Sequence, residues 1–126
     1  MCGIFGLLSN NIIAKDAYYS SFMNGKSRGP EFSELKDINN NLLFGFHRLA
    51  INGLDEISNQ PLTIENNTLI CNGEIYNYKD LYNTHNFEAK TNSDCEIIIH
   101  MYKKYGIEFT LRKLDGVFAF LLWDDE

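Results

Sequence analysis

Cysteine, positive charge and long apolar runs are all in short supply in this 126-residue chain, and each shortage removes a class of protein. The three cysteines, Cys2, Cys71 and Cys95, are odd in number and far apart, which suits reduced thiols better than a disulfide framework. No C-x-x-C or H-x-x-x-H spacing joins them to His47, His85 or His100, so no metal site is expected. Lysine and arginine total 11 against 17 acidic residues, a net charge of −6 with no basic stripe, and no nucleic acid partner is expected. No apolar run approaches the length of a membrane span, and GIFGLL has no basic residues ahead of it as a signal peptide would. The expectation is a cytoplasmic protein without a membrane partner. Repeats and low-complexity segments are missing too.

What is present is ordinary for a folded domain: 44% hydrophobic and 22% charged residues, in a length that suits one core. Gly3 to Leu8 reads as a buried strand, followed by a turn at Asn10-Asn11. Ala14 to Met23 has helical spacing, with Ala14, Tyr18, Phe22 and Met23 on one face, and Gly25 and S-R-G-P break it. Leu42 to Phe46 and Leu62 to Ile70 are expected strands, the second turning at Asn66-Asn67. Tyr76 to Tyr82 is an expected short helix. A longer helix should start in T-N-S-D-C-E, where Ser93 and Glu96 have capping-box spacing, and close at Gly106. V-F-A-F-L-L-W at 117–123 is strand-like. Strands and helices of this kind imply layered packing.

Cys2 is the residue that asks for an explanation. If Met1 is removed, the thiol and a free α-amino group sit on one residue, and an α-amino group, with a pKa of about 7.7 to 8.0, keeps a usable free-base fraction at neutral pH. Such a residue supplies both nucleophile and base. The plainer alternative is a small hydrophobe opening a buried strand.

An amide substrate would further need donors for a developing oxyanion. In N-G-E-I-Y-N-Y at 72–78, Asn72 offers a side-chain amide and Gly73 a closely approachable backbone N–H, although Asn-Gly also reads as a simple turn. A zwitterionic substrate head calls for a fixed cation and a fixed anion. Arg48 can grip a carboxylate in two parallel hydrogen bonds, and Asp94 sits in a helix first turn; a surface arginine and a dipole-complementing aspartate are the alternatives. His47 is expected to be structural, and S-R-G-P at 27–30 is either a lid or an ordinary loop.

Taken together, C-G-I-F-G, R-G-P, H-R-L-A-I, Q-P, N-G-E-I-Y-N-Y, S-D-C-E and D-G-V-F-A-F resemble, in order and over the whole chain, the glutaminase domain of asparagine synthetases. These are class II glutamine amidotransferases of the N-terminal-nucleophile hydrolase group. The resemblance implies an α+β fold, a four-layer αββα sandwich, with residues 1–126 forming an incomplete glutaminase domain truncated at its C-terminus. It implies glutamine as substrate, Cys2 as nucleophile, and Asn72 and Gly73 as the oxyanion hole. Arg48 would bind the substrate carboxylate, Glu74 and Asp94 its ammonium, and Leu49, Ala50, Ile51 and Asn52 would form the adjoining wall. Two departures stand out: Glu31 follows R-G-P where the family usually has Asp, and no ATP-pyrophosphatase loop of the S-G-G-x-D-S type is present. No cofactor is therefore expected in this chain, while ATP and magnesium would serve only a synthetase domain supplied in cis or in trans. A non-catalytic fragment that binds glutamine or a partner is the competing expectation.

Overall fold

The computed structural model describes residues 2–126, so the expected loss of Met1 lies outside the described residues. The architecture is α+β, with two three-stranded antiparallel sheets and three helices. The first sheet has the order β1-β3-β2, with β1 at Gly3–Leu8, β2 at Phe32–Asn39 and β3 at Leu42–Arg48. The second is β4-β5-β6, with β4 at Leu62–Ile64, β5 at Asn67–Ile75 and β6 at Gly116–Asp124. Helix α1 spans Lys15–Met23, α2 Tyr78–His85 and α3 Ile97–Lys113. No helix among the described residues is long and apolar enough to cross a membrane.

Side-chain alternation along β3 explains how the layers meet. Phe44 and Phe46 join Leu42 and, from the other sheet, Ile70 of β5 in one apolar cluster, against which Cys2, Ile4 and Trp123 pack. The opposite face of β3 turns toward α1: the Phe22 ring lies directly over Gly45 and stacks on His47 at 4.1 Å. On β5 the residues Leu69, Cys71 and Ile75 face the other way, into a larger core with Leu81 of α2, Cys95, and Ile97, Ile98 and Met101 of α3. Burying each such side chain contributes about 1.5–3 kcal/mol, so these clusters hold the sheets where they are.

Several sequence expectations change in detail. Phe32–Asn39 carries no strand signal in the sequence, yet it pairs with β3 from Phe32↔Arg48 to Asn39↔Leu42 as a polar sheet edge. α1 buries only Phe22, leaving Tyr18 and Tyr19 exposed. The first turn before α3 is a 3-10 turn, Asp94–Glu96, and the expected capping box is replaced: Ser93 caps the Cys95 N–H at 3.3 Å. Glu96 turns back to accept from the N–H groups of Lys90 at 2.7 Å and Thr91 at 2.6 Å. Gly106 does break the helix, at φ 78° and ψ 170°, but a second helical stretch resumes and runs to Lys113.

His47 is structural, as expected. It is 1% exposed, with Nε2 2.8 Å from the Phe22 carbonyl and Nδ1 2.7 Å from the Ser33 hydroxyl. A carbonyl can only accept, so Nε2 donates to it, and the other ring nitrogen is paired with the Ser33 hydroxyl.

Candidate functional site

Cys2, at the entrance to β1, reaches the loop that leaves β3. Its Sγ lies 3.3 Å from both the N–H and the carbonyl of Leu49, while its own carbonyl accepts from Arg28 Nε at 3.1 Å. The thiol opens onto a cavity of about 110 Å³ that is also lined by Arg48, Leu49, Ala50, Ile51, Asn52, Gly73, Glu74 and Asp94. Larger hollows of about 260 to 400 Å³ exist elsewhere, but those described carry no cysteine. Nine of the ten residues singled out from sequence therefore meet in one place.

Asn72 is the exception, although Glu74, on the same side of β5, does line the cavity. Asn72 points to the same side as Ile70, toward the inter-sheet cluster against which Cys2 packs, and it does not line the cavity wall. Its Oδ1 is buried and has no partner among the described residues.

Gly73 gains a specific place from the same strand. β4 ends its pairing with β5 at Leu69, so beyond that point one edge of β5 is free of strand partners. Along this edge the Cys71 N–H donates to Gln60 Oε1 at 2.5 Å, and the Ile75 N–H to Asp94 Oδ2 at 2.7 Å. Antiparallel alternation sends the N–H of Gly73, midway between them, in the same direction and into the cavity. A side chain here is impossible without moving the neighbouring strand, because a Cβ would sit 2.3 Å from the Val117 carbonyl oxygen.

Charge is distributed to suit a zwitterion. Arg48 is 8% exposed, and three of its five N–H donors go to the carbonyls of Gly53 and Asp55 and to Asn59 Oδ1, leaving two for a ligand. Asp94, 4% exposed, has its pKa raised by burial, an effect that the Ile75 and Asp94 N–H groups oppose and the Glu74 charge reinforces. A ligand ammonium would restore favourable surroundings to that carboxylate.

The R-G-P segment is stitched to the cavity wall. Pro30 bridges Arg48, the Glu31 N–H donates to the Arg48 carbonyl at 3.1 Å, and Glu31 Oε2 accepts from the Ala50 N–H at 3.2 Å. Sequence reading missed Ser58, Gln60, Cys71, Ser93 and Cys95, which also line the cavity. The Q-P pair marks Gln60 only as part of a motif, and Asp55 and Ser58 have the spacing of a cap.

A profile of the family described as "Glutamine amidotransferase domain" matches residues 1–126. Curated relatives named "Asparagine synthetase [glutamine-hydrolyzing]" are 42% identical in Mesocricetus auratus, 41% in Homo sapiens and 40% in Gallus gallus, over 130 aligned residues. Each alignment covers 98% of this chain but 23% of the relative, so the chain spans just under a quarter of these relatives' length.

Proposed function

The chain belongs to the glutamine amidotransferase domain family, and on that premise we propose that it hydrolyses glutamine to glutamate and ammonia with Cys2 as an N-terminal nucleophile. The observation that carries this reading is that the Cys2 thiol and Gly73, on the edge of β5 that β4 leaves unpaired, line one cavity with Arg48 and Asp94. With Met1 removed, the α-amino group of Cys2 takes the thiol proton as Sγ attacks the substrate carboxamide carbon. The oxyanion is met by the Gly73 N–H, with the Asn72 side-chain amide, assigned by the family resemblance, turning from its buried position toward the thiol as the second donor. The ammonium so formed returns its proton to the departing amine, the C–N bond breaks, and ammonia leaves a γ-glutamyl thioester. Water cleaves that thioester to glutamate and the free thiol.

Arg48 grips the substrate carboxylate with its two remaining donors, and Asp94 with Glu74 neutralises the ammonium. Leu49, Ala50, Ile51 and Asn52 form the wall between them. The two sheets with their covering helices are read as the αββα sandwich of N-terminal-nucleophile hydrolases, of which residues 1–126 are a part. The relatives' names favour asparagine formation as the fate of the ammonia, in a cytoplasmic synthetase domain that brings ATP and magnesium and is joined in cis or in trans.

The test is intact mass before and after exposure to 6-diazo-5-oxo-norleucine, with a parallel glutamate-release assay. Loss of Met1, one adduct on Cys2 and glutamate release are expected. A folded chain that keeps Met1 or leaves Cys2 unmodified overturns this reading in favour of a binding module.

Two variants probe individual roles. Asn72→Ala should lower kcat by about 100- to 1,000-fold, or roughly 2.7–4 kcal/mol, the usual cost of deleting one oxyanion donor; steady-state kinetics showing an unchanged kcat would remove Asn72 from the reaction. Asp94 must be ionised to hold an ammonium, and its pKa is raised. The KM for glutamine should therefore climb as pH falls, starting at a higher pH than an ordinary aspartate would require. Asp94→Asn should have a high KM with that part of the pH dependence flattened.

A further inference from the structure

Two stretches of the cavity wall come from distant parts of the chain, and they are tied together by side chains that take no part in the chemistry. The first stretch is the loop from Leu49 to Asn59, the second the turn Thr91–Asp94. Asp55 Oδ1 accepts from the Ser58 N–H at 3.1 Å and from the Ser58 hydroxyl at 2.5 Å. The Ser58 hydroxyl oxygen in turn accepts from the Asn92 N–H at 3.1 Å, and Asn92 Nδ2 donates to Asp55 Oδ2. Ser58 is 4% exposed, and the chain passes over it at Gly53, whose φ of 61° suits glycine and whose Cβ would lie 2.5 Å from the Ser58 hydroxyl.

The same loop holds both grips of the pocket in place. Arg48 Nη1 donates to the Asp55 carbonyl at 3.0 Å, so the backbone of Asp55 steadies the cation while its carboxylate reaches the residue two before Asp94. The Asp55 carboxyl is held below the usual carboxylate range by the Ser58 hydroxyl and Asn92 amide, with a smaller contribution from the Arg48 charge. It is therefore a pure acceptor at neutral pH, as the arrangement of donors requires.

We propose that Asp55 is a positioning residue for the amino-acid substrate: through Ser58 and Asn92 it fixes the spacing of Arg48 and Asp94, so that cation and anion fit the carboxylate and ammonium of one α-carbon. This rests on the amidotransferase reading for its substrate, though not for the clasp itself. Breaking the clasp loosens the grip on the zwitterionic head and leaves Cys2 and Gly73, which other elements hold, in place.

The experiment uses the full chain with Asp55→Ala, Ser58→Ala, and the pair Asp55→Asn and Asn92→Asp singly and together. In the exchanged pair, the new amide at position 55 still accepts from Ser58 through its oxygen and donates through its nitrogen to the new carboxylate at position 92, restoring each hydrogen bond with the charge moved across the clasp. Asp55→Ala should raise the KM for glutamine about 10- to 100-fold, the range set by losing a hydrogen bond to a charged group, with kcat within about threefold. Alkylation of Cys2 by iodoacetamide, which needs no amino-acid head, should keep its rate. Amide exchange should quicken in both 55–59 and 91–94, and the exchanged pair should return KM to within about threefold of the parent. Equal losses in kcat and in the alkylation rate, or faster exchange confined to 55–59, would overturn the proposal. If Asp55→Ala does not fold, Ser58→Ala carries the same comparison. A parent chain that releases no glutamate would defeat the amidotransferase reading, while the exchange pattern would still decide whether the clasp couples the two stretches.

Discussion

Cys2→Ala is expected to stop glutamate release altogether, with a fall in kcat of about 10⁶-fold, the order seen when a covalent nucleophile is deleted. The reason is positional as much as chemical. The other two cysteines, Cys71 and Cys95, are 1% and 3% exposed, and the Cys95 thiol is pushed well above its ordinary pKa by its contact with Cys71, by burial and by the nearby Asp94 carboxylate. Both side chains are buried and Cys95 is no ready thiolate, so neither can stand in for Cys2. Glutamine should still bind the variant within a few-fold of the parent affinity, because Arg48, Asp94 and Glu74 remain. Isothermal titration alongside the release assay separates the two effects. Measurable turnover in the alanine variant would mean that Cys2 is not the nucleophile.

The second large effect is expected on stability, from Glu96. Its side chain is fully buried and accepts from Lys90 N–H, Thr91 N–H and His100 Nε2, the last at 2.8 Å. Burial alone would raise its pKa, but the His100 side chain and the Lys90 and Thr91 groups outweigh it and hold the pKa at about 2. Glu96→Ala leaves those donors buried without an acceptor, which should cost about 3–5 kcal/mol. Glu96→Gln can satisfy only part of the set and should cost less. Because the folded pKa lies below the unfolded one, the charged form stabilises the fold above pH about 4.5, and that contribution, about 3 kcal/mol, is lost as pH falls toward 2. Urea midpoints for parent and Glu96→Gln should accordingly differ at pH 7 and converge near pH 2. A gap that stays constant across that range would show that the carboxylate charge is not what holds the 90–91 turn.

These two residues differ in how far the sequence announces them. Cys2 is conspicuous because it directly follows Met1, where a thiol and a free α-amino group could share one residue. Glu96 carries a recognisable spacing to Ser93, yet its partners turn out to be the N–H groups just before that serine and the histidine one turn on, an arrangement that spacing alone does not distinguish from a capping box. The apolar runs that became β1, β3, β5 and β6 are legible for a simple reason: each is packed on at least one face, and burial selects their composition. β2 is an edge whose Ser33, Glu34, Lys36 and Asp37 carry no such signal. The helix beyond Gly106 resumes with Phe109 packed on Tyr105 one turn before and on His85, 24 residues back, and with Thr110 fully buried; the His85 contact and that burial lie outside any local window. The clasp is hidden for the same cause, since Asp55 and Asn92 are 37 residues apart.

The cavity draws on residues far apart along the chain, and this sets a timetable for its birth on the ribosome. Cys2 leaves first, β1 finds no partner until β3 has been made, and Asp94 follows 92 residues after the thiol. At about 5–20 residues per second, roughly 5 to 20 s separate the synthesis of Cys2 from that of Asp94. Until Asp94 is made, the cavity around the Cys2 thiol lacks part of its wall. The pocket is thus among the last features of the fold to be completed, since it needs both the start of β1 and the turn ahead of α3.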